Sequence, residues 1–308
     1  MGSSLPNFFL IGAAKSGTTS LAEHLRQHPE AFLPSTKEPN FYALGGRKLP
    51  LPGAGDDRHR FLQLYLHTVT ERAKYESLYP DDHGAKAIGD ASVRYLYFPE
   101  AAPAIRAEYP DARFVVVLRD PVTRAFSHHS MMVQFQLEPL DFEAALEAED
   151  ERIAAGWGWD WHYTALGRYT DQLARWFEHY DRDRFLVIFY PEFLADPQRE
   201  YAKICRHLGI DDGFVPDRSK RGKPAYRPKN LTLDRFVHHH NKWRTAMRRS
   251  LPKSVSGKIL ETLREWNSAT IHPMKDATRE ALRASFAPEL ERLSELLGTD
   301  AKQRILQS

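Results

Sequence analysis

Apolar and polar positions along this chain alternate between two periods. Phe8 to Ile11 closes an apolar stretch, Asn7–Ile11, that reads as a buried strand, and Thr18–Gln27 follows with helical spacing. Lys86–Gly89 is a shorter strand pattern and Pro99–Glu108 a helical one. Arg113–Leu118 is Val-rich and apolar after its first residue, as expected of a strand covered on both faces. Pro121 suits the first turn of the next helix, with Asp120 placed to cap it. Helices are predicted at Phe142–Ala154 and Gly167–Tyr180, a buried strand at Arg184–Tyr190, and a helix at Pro197–Leu208 that Gly209 can end.

Such alternation predicts an α/β fold of three layers, a central, mostly parallel sheet flanked by helices. Ligands of such sheets bind beyond the carboxyl ends of the strands. Residues 1–308 read as a single domain with two excursions. The first, 41–79, opens with a Gly/Pro-rich stretch from Gly45 to Gly55. The second, 217–275, is basic: Asp217 to Lys253 holds twelve Lys or Arg against two Asp.

Composition narrows the partners. Net charge is +2, with 42% apolar and 27% charged residues, an ordinary globular balance that calls for neither nucleic acid nor a membrane surface. No apolar run reaches the length of a membrane span, and no signal-peptide pattern opens the chain, so a cytoplasmic protein is expected. The one cysteine, Cys205, cannot form an internal disulfide. Oligomeric state is not encoded in any pattern here.

The turn between the first strand and helix carries the clearest chemistry. It reads Gly12-Ala13-Ala14-Lys15-Ser16-Gly17-Thr18-Thr19-Ser20. The glycines permit a tight turn, and the N–H groups of Ser16 to Thr19 are expected to be free at the helix start. With the helix dipole, the Lys15 ammonium and three hydroxyls, this is a P-loop-like site for a phosphate-type anion. The glycine spacing matches Walker A, but Thr18 follows the second glycine where that motif needs lysine. A second candidate follows Arg113–Leu118: Arg119 at the strand's carboxyl end and Ser127 two turns along the next helix can hold one phosphate.

Together these two motifs resemble the sulfotransferases that use 3′-phosphoadenosine-5′-phosphosulfate (PAPS), of bacterial type and similar to the glycan and heparan sulfate branch. Lys15-Ser16-Gly17-Thr18-Thr19 looks like that family's 5′-phosphosulfate loop, and Leu118-Arg119-Asp120-Pro121 with Arg124 and Ser127 like its 3′-phosphate motif. The resemblance implies that Lys15 assists departure of the phosphate oxygen, that Ser16 to Thr19 hold the 5′-phosphate, and that Arg119 and Ser127 hold the 3′-phosphate. Phe185–Glu192 is similar to the third core strand, which suggests that Tyr190 lies near the nucleotide; a plain strand-end aromatic is the other reading. Arg218–Asn230 resembles the basic loop over the nucleotide, with Lys223 and Arg227 as candidates.

The implied activity is sulfonate transfer from PAPS to a hydroxyl of a sugar, phenol or secondary metabolite, leaving adenosine 3′,5′-bisphosphate and requiring no metal. Lys37-Glu38-Pro39-Asn40-Phe41-Tyr42 resembles the Lys-Glu-Pro segment whose glutamate is the proposed base, so Glu38 is the candidate. Pro39 biases Glu38 towards extended backbone. His128 and His129 are rival bases, one able to face the cleft and the other away, each otherwise an exposed histidine. Where the glycan branch carries Glu-Lys-Thr/Ser-Pro-x-Tyr, this chain has Asp90-Ala91-Ser92-Val93-Arg94-Tyr95; the lysine is missing, and Arg94 is a candidate source of charge. The acceptor is expected between 41–79 and the region after Leu231. Trp157, Trp159 and Trp161 are either stacking surfaces for it or core residues, and Leu231–Leu251 is a lid or a membrane-facing helix. The alternatives are a P-loop kinase and a non-catalytic nucleotide-binding protein.

Overall fold

The computed structural model describes residues 5–53, 64–80, 84–218, 227–228, 268–269 and 273–307. A five-stranded sheet forms its centre: β1 (Phe8–Gly12), β2 (Ala31–Phe32), β3 (Ala87–Asp90), β4 (Arg113–Leu118) and β5 (Phe185–Phe189). The strand order is β2-β3-β1-β4-β5, and every neighbouring pair is parallel. Helices flank both faces, in the P-loop-like three-layer arrangement. They are α1 (Thr18–Arg26), α2 (Phe41–Leu44), α3 (Arg72–Glu76), α4 (Ala101–Glu108), α5 (Pro121–Gln134), α6 (Phe142–Glu147), α7 (Glu149–Ala154), α8 (Tyr169–Phe177), α9 (Tyr190–Ala195), α10 (Pro197–Leu208), α11 (Asp276–Leu297) and α12 (Ala301–Leu306). A two-residue pair, Arg227–Pro228 with Ser268–Ala269, is antiparallel.

The strand period of two sorts the core into layers. Phe8 and Leu10 of β1 and Val115 and Val117 of β4 meet Leu21 and Leu25 of α1 and Ile204 and Cys205 of α10. Phe9, Ile11, Phe114 and Val116 face the other way, onto Ile105, Leu173, Trp176, Leu290 and Leu293. Each such side chain, fully buried, contributes about 1.5–3 kcal/mol. No helix among the described residues is long and apolar enough to cross a membrane.

Three sequence expectations are revised. The helix expected over Phe142–Ala154 is two, meeting at Ala148, because the buried Glu149 turns its carboxylate onto the N–H groups of Thr164 and Ala165 at 2.8–2.9 Å. The helix expected from Gly167 starts at Tyr169, after a tight turn over Ala165–Gly167. A Cβ on Gly167 would lie 2.9 Å from Pro121 and 3.0 Å from Phe286, so that turn packs where only glycine fits. The 41–79 excursion also does more than border a site: Tyr42, Tyr65, Tyr75 and Tyr79 are core residues.

Candidate active site

The phosphate loop leaves β1 and enters α1 through Gly17, whose φ is +84°. A Cβ there would stand 2.8 Å from the Tyr190 ring, so glycine serves both the backbone and the packing. Helix α1 has no side-chain cap, and the N–H groups of Gly17, Thr18 and Thr19 have no partner among the described residues. Ser16 differs from expectation: its N–H donates to the Ala13 carbonyl at 3.3 Å. Its buried hydroxyl has no hydrogen-bond partner among the described residues. Lys15 sits at φ +68°, a costly region for a side-chain-bearing residue. Burial lowers its pKa from 10.5 to about 8; Lys37, Arg119 and Arg124 push the same way, and Glu38 opposes them.

Arg119 is tied to this loop directly. Its Nη1 donates to the Lys15 carbonyl at 3.0 Å, its Nε to Thr123 Oγ1 at 3.1 Å, and its guanidinium lies 5.2 Å from the Tyr190 ring centre. Asp120 caps α5 as expected, accepting from the N–H groups of Val122 and Thr123. Arg119 and Tyr190 line a cavity of about 560 Å³ that also receives Arg279 and Arg283 from α11. Those two arginines were missed because α11 lies beyond every motif in the sequence. Ser127 lines a different cleft, of about 380 Å³, with Lys15, Gly17, Thr18 and Thr19. Arg119 is joined to the loop through the Lys15 carbonyl, and Ser127 lines the cleft beside that loop.

Glu38 reaches the same cleft as Lys15. Its φ is +60°, not the extended value that Pro39 favours. Tertiary hydrogen bonds override the local preference: Glu38 N–H donates to Ala91 O at 3.1 Å, and the Asn40 side-chain amide donates to Glu38 O at 2.7 Å. Asn40 N–H is received by Ser92 Oγ at 3.0 Å, and Ser92 donates in turn to Asp90 Oδ1 at 2.6 Å. Asp90, wholly buried, also receives the hydroxyls of Tyr75 and Tyr95 at 2.9 and 2.8 Å. Burial raises its pKa to about 6 against the pull of those three donors. The Glu38 carboxylate is paired with the Lys37 ammonium.

The remaining wall comes from Val93 and Arg94, helix α5 and the Trp159 segment. His128 and His129 are both buried rather than exposed, with 1% and 3% of their surface accessible. They face different cavities: His128 the cleft, His129 a separate one near Glu138 and Phe142. Burial, with Arg124, Lys15 and Arg94 nearby, holds His128 well below the usual histidine range. Trp161 is core, while Trp159 is buried and also lines the cleft. Arg94 is buried and pairs with Asp160 at 3.4 Å. Lys223 and Leu231–Leu251 lie outside the described residues, as does the Arg227 side chain.

Comparison with known proteins bears on the family and the fold. The family model described as Sulfotransferase family matches residues 6–214. The human heparan sulfate glucosamine 3-O-sulfotransferase 3B1 is 26% identical over 206 residues, 67% of this chain and 46% of that protein. The membrane-associated sulfotransferase kil1 of Dictyostelium discoideum is 30% identical over 131 residues, 42% of this chain and 24% of that one. The chain thus spans about half the length, or less, of these curated relatives. A crystal structure of a sulfotransferase from Alicyclobacillus acidocaldarius matches with a TM-score of 0.74 at 31% identity, covering 97% of this chain and 98% of that one. A parallel sheet, a lysine-bearing loop between its first strand and helix, and a family match over more than half of the residues lead to one assignment: this chain belongs to the sulfotransferase family.

Proposed function

We propose that this protein transfers the sulfonate of PAPS to a hydroxyl of a carbohydrate or comparably small acceptor, releasing adenosine 3′,5′-bisphosphate. The observation that carries the reading is the meeting of Lys15 and Glu38 on one cleft, beside the free N–H groups that open α1. The Ser16 hydroxyl and those amides suit a phosphate oxygen, and Arg119 suits the ribose phosphate.

In this scheme the acceptor oxygen attacks sulfur in line with the departing phosphate oxygen. A new S–O bond forms as the old one breaks, and the protein chiefly positions the partners and stabilises charge. Glu38 takes the proton of the acceptor hydroxyl, help typically worth about 10²–10⁴-fold. Lys15 neutralises charge on the leaving phosphate, and one such donor is worth about 3–4 kcal/mol of barrier. Arg119, holding the Lys15 carbonyl, fixes the loop against the ribose end of the donor.

Thermal-shift titration tests the reading. Adenosine 3′,5′-bisphosphate is expected to raise Tm far more than ATP with magnesium, by linkage to the folded state. Equal shifts, or a preference for ATP, would overturn it in favour of a kinase.

A further inference from the structure

One wall of the cleft carries several donors without an acceptor among the described residues. Arg94, His128 and Trp159 line it with 3%, 1% and 5% of their surface exposed. Arg94 Nε and Nη1, His128 Nε2 and Trp159 Nε1 are all buried without a hydrogen-bond partner among the described residues. The three side chains are in contact: the Arg94 guanidinium lies 4.4 Å from the Trp159 ring centre, and the His128 and Trp159 rings are 5.9 Å apart. The remaining Arg94 nitrogen, Nη2, makes only long contacts, 3.4 Å to Asp160 Oδ1 and 3.5 Å to Leu64 O. Asp160 meanwhile receives the Tyr65 hydroxyl at 2.6 Å.

The histidine's role follows from its neighbour. Arg124 Nη1 stands 3.4 Å from His128 Nδ1. A guanidinium can only donate, so Nδ1 carries the lone pair and Nε2 the hydrogen. Indole nitrogen is likewise a donor only. The four unpaired atoms, all buried in residues that line the cleft, therefore all carry N–H. Folded proteins rarely leave buried donors unpaired without a purpose such as a ligand.

We propose that this wall holds an oxyanion of the acceptor, a carboxylate or sulfate carried beside the reacting hydroxyl, and that Arg94, His128 and Trp159 set acceptor choice by binding it. The proposal rests on the sulfonate-transfer reading and gives its acceptor a charge. It also assigns His128 to orienting the acceptor, and the proton of the hydroxyl to Glu38.

The test uses two nearly isosteric pairs: 4-hydroxybenzoate against 4-hydroxybenzamide, and 4-hydroxybenzenesulfonate against 4-hydroxybenzenesulfonamide. Binding is measured by calorimetry, with and without adenosine 3′,5′-bisphosphate. At least one anion is expected to bind about tenfold or more tightly than its neutral twin, as for hydrogen bonds to a charged group. The pair with the larger preference tells carboxylate from sulfate. Arg94→Met, which keeps the stacking bulk, should abolish the preference, and Trp159→Phe, which removes one N–H and keeps the ring, should narrow it severalfold. Should Arg94→Met fail to fold beside Asp160, Trp159→Phe alone decides. Equal binding within both pairs, no binding of any probe, or a preference untouched by these substitutions would overturn the proposal. Absence of a nucleotide-induced Tm shift would instead sink the sulfonate-transfer reading, because the anion preference is read without nucleotide as well.

Discussion

Gly17→Ala isolates what the phosphate loop contributes. At φ +84° an alanine pays the left-handed penalty, about 1–2 kcal/mol. Its Cβ would also stand 2.8 Å from Tyr190 Cε2, well inside the 3.5–4.0 Å or so at which carbons attract. Free protein can relieve both by letting the loop leave its native path. A nucleotide that needs the native path must restore the strain, so the penalty emerges in affinity. The φ cost alone corresponds to about 5–30-fold weaker binding of adenosine 3′,5′-bisphosphate, and the clash adds to it. Calorimetry on Gly17→Ala, Tyr190→Ala and the double variant separates the two. The coupling between the substitutions measures the clash, and the part that survives in the Tyr190→Ala background measures backbone strain. Wild-type affinity in Gly17→Ala would refute the reasoning. Full recovery in the Tyr190→Ala background would refute the backbone part alone.

Further outcomes follow from the same geometry. Glu38→Gln should lower the rate of sulfonate transfer by about 10²–10⁴-fold while binding adenosine 3′,5′-bisphosphate within a few-fold of wild type; an unchanged rate removes Glu38 as the base. Because burial holds Lys15 at about 8, below its ordinary 10.5, the free protein loses that charge as pH rises through 8. Nucleotide affinity should fall over that range and binding should take up a proton, measurable in buffers of different ionisation enthalpy, and Lys15→Arg should abolish the trend. Asp90→Ala leaves the hydroxyls of Ser92, Tyr75 and Tyr95 without their shared acceptor, at a cost of about 3 kcal/mol or more. A drop in Tm of about 5 °C or more is expected, together with loosening of the Glu38 turn.

The parts of the molecule legible in the sequence are those fixed by local rules. β1 and β4 are apolar on both faces, and Asp120-Pro121 is a complete helix start, so their positions follow from pattern and capping. The left-handed backbone at Lys15 and Glu38 was hidden, because long-range contacts impose it: Arg119 on the Lys15 carbonyl, and Ala91 with Asn40 on Glu38. The same holds for Arg94 and His128. A charged or polar side chain reads as surface until tertiary structure encloses it, and Asp160 and Arg124, which accompany them, are distant or unremarkable in the sequence. The four tyrosines contributed by 41–79 were masked by the turn-rich composition of its start. Helix α11 lacks a clear amphipathic stripe and contains Pro288, which is why Arg279 and Arg283 escaped notice.

The bond from the residue 119 guanidinium to the residue 15 carbonyl has a consequence for redesign. In the proposed scheme, converting this protein to a donor lacking the ribose phosphate takes more than deleting Arg119. In the same scheme that deletion also releases the backbone that carries the Lys15 ammonium, which links selectivity at one end of the donor to turnover at the other. Any retargeted variant has to supply a replacement prop for the loop before it changes its taste in nucleotides.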